Sequence, residues 1–339
     1  MSTFARVAIY YTVTILQKMM EQTGHVSLAE TSLLGLTNNR RISAEVAPMC
    51  VGLMPSPAAV VIGGAMVESI YRNEVSNEDK NFITSYFRHI PESFAPIYGS
   101  VILACELAHV RPGEFVLYML PVAALSFILG HVMFMRKLPK DTGLPRKQNR
   151  MRDFKTLFLS LWPVLAIIAV VLATDIDVYL VTIGVILVYY GVNRFRFQEV
   201  KPFFISAFDS RIIVSTVFIL IFKDYIMSTD AVESLPRLFS QLPLPDYLVF
   251  SRIFFVGSAI VGATAIAAIG IPLAYAAMPD GGTPLLVLLS TMSFAAMQIS
   301  ISHICLFLSS AYFKFDISSL IKRTVPIISV LCVLLVCYY

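Results

Sequence analysis

Hydrophobic positions in this sequence come in long runs, not in the alternating or striped patterns of a half-buried strand or surface helix. The runs are Phe94 to Ala108, Phe115 to Phe134, Leu157 to Ala173, Val178 to Val192, Ile212 to Phe222, Leu285 to Leu308 and Val325 to Cys337. Several reach the roughly 20 residues needed to cross a bilayer as a helix. The shorter ones become long enough once flanking anchors such as Trp162, Tyr189 and Tyr190 sit at the interface. Phe4 to Met20 adds an amphipathic helix. Two further apolar segments, 45–70 around Met54-Pro55-Ser56-Pro57 and 247–278 around Gly257, Gly262, Gly270 and Pro272, carry proline and glycine near their middles. Proline removes a backbone donor and glycine loosens a helix, so each segment is predicted to break.

Composition excludes the soluble reading. Of 339 residues, 57% are hydrophobic and only 14% charged, and the mean hydropathy is +0.75. A soluble domain carries roughly a quarter of its residues charged to wet its surface, whereas a lipid-facing surface needs none. The sequence predicts an all-α polytopic membrane protein whose first partner is the lipid bilayer.

The net charge of +4 matters through its distribution. The loop 136–155 holds Arg136, Lys137, Lys140, Arg146, Lys147, Arg150, Arg152 and Lys155 against Asp141 and Asp153, which places it in the cytoplasm by the positive-inside rule. A nucleic-acid partner is not expected, because this run lies between two spans without interleaved aromatics. Walking outward from the loop puts His109 to Pro112 and Thr174 to Asp177 outside, and Tyr71 to Ile90 in a cytoplasmic loop. If both broken segments are re-entrant hairpins, Arg40, Arg41, Lys314, Lys322 and Arg323 also become cytoplasmic. If they cross, all five lie outside, so hairpins are the preferred reading.

Five crossings then separate the helix starting at Phe4 from the one starting at Ile212, and an odd number inverts the second unit. The halves overlay at a constant shift, Lys18 on Lys223 (223 − 18 = 205), Val51-Gly52 on Val256-Gly257, Ala58 on Ala263 and Pro121 on Pro326. The expected organisation is a first, shortened repeat over 1–135, the basic loop 136–155, and a second repeat over 156–339. Counterparts of the helices Leu157 to Ala173 and Val178 to Val192 would precede Met1, so the first repeat is expected to be N-terminally incomplete. No removed signal peptide is expected at the N-terminus.

The runs Met54-Pro55-Ser56-Pro57-Ala58-Ala59, Asn77-Glu78-Asp79-Lys80-Asn81-Phe82-Ile83, Tyr86-Phe87-Arg88-His89-Ile90, Ser302-His303-Ile304-Cys305-Leu306 and Tyr312-Phe313-Lys314 resemble an uncharacterised prokaryotic permease family, the domain of unknown function 401. The resemblance covers roughly 44–326. It implies membership of the ion-transporter superfamily, with citrate, gluconate and four-carbon dicarboxylate carriers as distant relatives. It also implies a homodimer in the inner membrane of a prokaryote, ion-coupled, with substrate held between hairpin tips and broken helices.

The chemistry of such a site has its own physical basis. A broken helix exposes free N–H groups and a partial positive charge at its half-helix N-terminus, which suits a carboxylate, while freed carbonyls suit sodium. Candidate substrate or ion residues are Met54, Pro55, Ser56 and Pro57 at the first break, and Gly257, Gly262 and Thr264 at the second. Ser300, Ser302 and His303 join them from the polar-rich apolar run. Pro96, Tyr98 and Gly99 occupy the matching place in the first unit. His303 would bind substrate or carry a proton; a bland alternative is a neutral imidazole bonded to a neighbouring helix. For the prolines and glycines the bland alternative is close helix packing. Lys18, Lys223 and Asp224 lie near helix ends and are expected to snorkel to the interface.

Cys50, Cys105, Cys305, Cys332 and Cys337 form no paired ligand motif and are expected to pack, so no metal is expected. An HExxH, a GxSxG and a Walker lysine loop are all absent, and no enzyme activity is expected. The sequence therefore points to an ion-coupled secondary transporter of a small organic anion, with sodium or a proton as coupling ion. A sodium/proton exchanger and a partner-dependent, non-transporting membrane subunit are the alternatives.

Overall fold

The computed structural model describes residues 3–25, 28, 32, 39–53, 58–140, 150–174, 176–207, 221 and 244–339, and among them there is no strand. The segment Ile212 to Phe222 (Ile221 apart), Lys223, Asp224 and positions 141–149 of the basic loop lie outside the described residues. Fourteen α-helices are described. They are α1 (Thr3–Gln22), α2 (Arg40–Gly52), α3 (Ala58–Tyr71), α4 (Asn77–His89), α5 (Gly99–Leu107), α6 (Pro112–Met133), α7 (Arg150–Ala173), α8 (Val178–Val192), α9 (Phe197–Ser206), α10 (Asp246–Val261), α11 (Ala263–Ala277), α12 (Gly282–Met297), α13 (Ile304–Phe313) and α14 (Ile317–Tyr338). Pro112–Lys137, Met151–Ala173 and Ile317–Tyr338 are long and apolar enough to cross a membrane. Ala263–Ala277 with Pro279–Met297 forms a further apolar pair, bent by 104°. The chain is an all-α polytopic membrane protein.

Helix starts recur with one offset. α3 and α11 begin at 58 and 263, α4 and α12 at 77 and 282, α5 and α13 at 99 and 304, and α6 and α14 at 112 and 317, a difference of 205 each time. Packing recurs with it. Within each set α2 packs on α3 and α4, as α10 packs on α11 and α12; across the sets α3 meets α13 as α11 meets α5, and α4 meets α14 as α12 meets α6. Each exchange of partners is what a pseudo-twofold relation between two equivalent units produces.

The first pair, α2 and α3, opens at the C-terminal end of α6. Arg40, at the start of α2, forms an ion pair with Glu74, just past the end of α3. Beside it the Arg40 N–H donates to Lys140 O at 3.0 Å and Arg41 Nε donates to Leu138 O at 2.6 Å. The second pair, α10 and α11, opens at the other end. Thr283, after α11, hydrogen-bonds Glu114 at the start of α6, and Tyr247 at the start of α10 lies 5.2 Å, ring to ring, from Tyr339. The two pairs thus open at opposite ends of α6.

Helix α4 corrects the expectation that Tyr71 to Ile90 forms a cytoplasmic loop. Its N-cap is Ser76, which accepts from the Asp79 N–H, and Glu78 and Asp79 in the first turn with Arg88 and His89 in the last complement the helix dipole. Residues 80–90 are all buried. A run this polar goes inside because its polar groups find partners there. Arg323 of α14 pairs with Glu78 at 2.7 Å and with Asp79, and its guanidinium lies 5.4 Å from the Phe134 ring. Asn81 donates to Ser310 Oγ at 3.1 Å and accepts from Ser309 Oγ at 2.6 Å. These bonds join α4 to α13, so Asn81→Ala is expected to lower stability by about 1–3 kcal/mol, the usual cost of stranding buried polar groups. A thermal unfolding curve of the purified protein in detergent checks this; a transition unchanged from wild type would mean that water reaches the two serines.

The expected continuous span Leu285 to Leu308 is likewise divided, into α12 and α13 with an irregular stretch at 298–303. Phe94 to Ala108 is the second arm of the matching broken element, α4 and α5. Helix α1 buries Val13, Leu16, Met19 and Met20 and packs mainly against α8 and α9, with a smaller contact on α5.

Candidate functional site

The two irregular stretches that divide α4 from α5 and α12 from α13 face each other. Residues 90–98 contain Pro91 and Pro96, and a short 3-10 turn over Pro91–Ser93 carries the chain across the break. Each stretch is tied to a hairpin tip of its own unit. Tyr98 donates to Gly52 O at 2.5 Å. Ser300 donates to Ala259 O at 2.6 Å, and its hydroxyl lies 2.8 Å from that of Ser302. Neither Tyr98, the N-cap of α5, nor His303, the N-cap of α13, caps its helix with a side-chain bond. The first turns of both half-helices therefore keep N–H groups that the helix itself does not satisfy.

Charge enters from the end of α4. Arg88 is 2% exposed and its Nη1 lies 3.4 Å from Glu92 Oε2, so a cation and a carboxylate sit together beside the first break. His89 Nδ1 lies 2.5 Å from Ser85 O. A carbonyl only accepts, so that nitrogen carries the proton and Nε2 keeps its lone pair. This lone pair faces His303 Nε2 at 3.0 Å, which then donates. Cys305 is close enough that its sulfur and the two imidazoles have ligand atoms within 4.8 Å of one another.

Next to these groups is a cavity with about 50 Å³ of room for water-sized atoms, lined by His89, Glu92, Ser93, Ser100, Ser293 and Gln298 among others. Ser100 belongs to the first turn of α5, and Ala263, also in the lining, opens α11, so two helix N-termini border it. Gln298 donates from Nε2 to Tyr86 O at 3.4 Å, while its Oε1 is buried with no hydrogen-bond partner among the described residues. Ser293 accepts a bond from Ser258 at 2.8 Å. The cavity offers hydroxyl donors, acceptors that include the Glu92 carboxylate and Gln298 Oε1, and an apolar wall that includes Phe254 and Phe294, which suits a small polar molecule with a carbon skeleton.

Of the residues singled out from sequence, His303, Ser300, Ser302, Tyr98 and Pro96 lie in the two facing stretches, and Gly99 opens α5. Gly262 forms the tip between α10 and α11 with a φ of 88°, a conformation that favours glycine. Gly257 is a packing position: a Cβ there would meet Ile266 Cδ1 at 2.5 Å. Thr264 is exposed and does not line the cavity. Met54, Pro55, Ser56 and Pro57 lie outside the described residues. Arg88, His89, Glu92 and Gln298 join the candidate site from the structure and are not among the binding candidates read from the sequence. For Arg88 and His89 the signal is a cation and an imidazole between Phe87 and Ile90 in an otherwise apolar run up to Pro91, which a cytoplasmic assignment of that stretch conceals. Cys305, expected to serve only in packing, sits at imidazole distance.

Glu45, 0% exposed on α2, forms a second polar centre away from the breaks. Its Oε1 lies 2.7 Å from His131 Nδ1 of α6.

The family model described as a protein of unknown function (DUF401) matches residues 2–339, nearly the whole chain. The chain belongs to that family. No curated protein matches it.

Proposed function

Starting from membership of that uncharacterised family, we propose that the chain is an ion-coupled secondary transporter of a small organic anion of the carboxylate class, in the inner membrane of a prokaryote. Its relatives would then include the carriers of the ion-transporter superfamily, and it would work as a homodimer. The observation that carries the reading is the meeting of two broken helices from oppositely oriented units at a small, mostly apolar cavity whose wall includes Glu92, the carboxylate paired with the buried Arg88. Broken helices at the interface of inverted repeats are where secondary transporters place substrate and coupling ions. A carboxylate entering the cavity would find the first turns of α5 and α11 and, beside them, the Arg88 guanidinium. An intramembrane charge is costly to keep without use. Transport follows if the two units rock about the site so that it opens to one side and then the other, with sodium at the freed carbonyls or a proton as the coupled ion.

A thermal-shift screen of the purified protein against carboxylates, with and without sodium and across pH, tests this. A ligand at about 100 times its Kd stabilises the state it binds by about 2.7 kcal/mol. One carboxylate class is expected to raise the Tm in an ion-dependent way, and Ser300→Ala or His303→Ala to reduce the rise. A folded protein whose Tm moves with none of these anions contradicts the carrier reading.

A further inference from the structure

We propose that His89, His303 and Cys305, with Glu92 as fourth ligand, form a binding site for a zinc-type divalent metal ion that joins the two broken helices. The expectation of no metal rests on the cysteines having no neighbouring set of histidines at ligand spacing along the chain. His303 stands two positions before Cys305 at the start of α13, and the fold adds a second histidine, His89, from the end of α4 in the other unit.

The geometry favours a soft, four-coordinate ion. Three ligand atoms, two imidazole nitrogens and a sulfur, already lie within 4.8 Å of one another. Zinc bonds of about 2.0–2.1 Å to nitrogen and 2.3 Å to sulfur in a tetrahedron require separations of roughly 3.3 Å between nitrogens and 3.6 Å from nitrogen to sulfur. The imidazole nitrogens, at 3.0 Å, need only a slight opening, and the sulfur a closing by about one bond length. Glu92 Oε2 is 3.9 Å from His89 Nε2 and completes the set. Two imidazoles, a thiolate and a carboxylate match zinc better than magnesium or calcium, which take oxygen ligands. The outer shell is also in place. His89 Nδ1–H donates to Ser85 O, the type of bond that fixes a ligating imidazole's tautomer, and Glu92 is held by Arg88.

Binding balances in protons and charge. Cys305 releases its thiol proton to solvent as the metal–sulfur bond forms. His303 exchanges its single ring proton from Nε2 to Nδ1, so that both facing nitrogens offer lone pairs. The thiolate and the Glu92 carboxylate offset the dication's two charges, and with the Arg88 guanidinium beside Glu92 the loaded cluster carries one net positive charge, one more than the empty one. Because the ligands come from both units, a bound ion fixes break to break.

Cobalt(II) is the probe, added to purified full-length protein in detergent after any affinity tag is removed, because cobalt reports thiolate ligation by a charge-transfer band and tetrahedral geometry by intense visible bands. Wild-type protein is expected to bind one equivalent with both signatures, to lose them on addition of zinc, and to gain Tm with either metal. Cys305→Ser is expected to lose the thiolate band, while Cys337→Ser keeps it. His303→Gln is expected to weaken binding at least tenfold, which decides the matter if Cys305→Ser does not fold. Folded wild-type protein without the thiolate band, or a band that survives Cys305→Ser or stays undiminished in His303→Gln, overturns the proposal. The cobalt spectra need no carboxylate, so the metal site and the carrier reading succeed or fail separately.

Discussion

Arg88→Gln is expected to abolish anion-dependent stabilisation and, in proteoliposomes, uptake of whatever carboxylate the screen identifies. A hydrogen bond to a charged group is worth about 1.5–3 kcal/mol, so affinity should fall by roughly 10- to 100-fold at least. The same substitution strands Glu92 beside the cavity, and breaking a buried ion pair from one side costs about 3–5 kcal/mol. Glu92 keeps 16% side-chain exposure, which puts the stability loss at or below the lower end of that range. The two effects separate in Arg88→Gln/Glu92→Gln. The double variant should regain much of the lost Tm, because no charge is left unpaired, and still fail to respond to carboxylates. A double variant that binds the anion with wild-type affinity would remove Arg88 from the site and leave the anion to the helix N-termini.

Gly52→Ala is expected to be among the most destabilising small substitutions in the chain. A Cβ at this position would overlap Arg88 O and lie 3.0 Å from Arg88 C. Both are backbone atoms, so no side chain can swing aside; α2 and the end of α4 must separate. Overpacking typically costs about 1–3 kcal/mol, and here the displacement would also pull Gly52 O from the Tyr98 hydroxyl that it accepts from. Gly99→Ala is the matched control. Gly99 has open space where its Cβ would go, and alanine in a helix is favoured over glycine by up to about 1 kcal/mol. Thermal unfolding should therefore show Gly52→Ala well below wild type and Gly99→Ala at or above it. Equal transitions would mean that the tip of the first hairpin is not held against Arg88.

Gly52 and Arg88 also show where the sequence stops being readable. Long apolar runs without charge identify α6, α7, α8 and α14, because a lipid-facing helix must satisfy its backbone internally and needs no polar surface. Proline and glycine in 45–70 and 247–278 are local breakers, so α2 with α3 and α10 with α11 are visible as divided segments before any contact is known. The constant offset of 205 positions, written in a few matched residues, reappears in the helix starts because equivalent units fold by equivalent rules.

Helix α4 was not legible. Glu78, Asp79, Lys80, Asn81, Arg88 and His89 look like a solvated loop when read alone, and partners far along the chain make them a buried helix: Arg323 for the acids, Ser309 and Ser310 for Asn81, and His303 for His89, with only Glu92 close in sequence to Arg88. Whether a polar group is buried depends on pairing, and pairing depends on which distant segments the fold brings together. The site follows the same rule. His303 could be picked out because an imidazole in an apolar run is conspicuous. Its neighbour His89 lies 214 positions away, and no local pattern encodes that distance. Sequence alone determined that this protein lives in a membrane and that 45–70 and 247–278 are divided segments, because apolar runs and local breakers act without reference to distant partners. Tertiary structure decided which polar residues face one another across the breaks, because that choice is made by long-range packing between the two units and by nothing within either one.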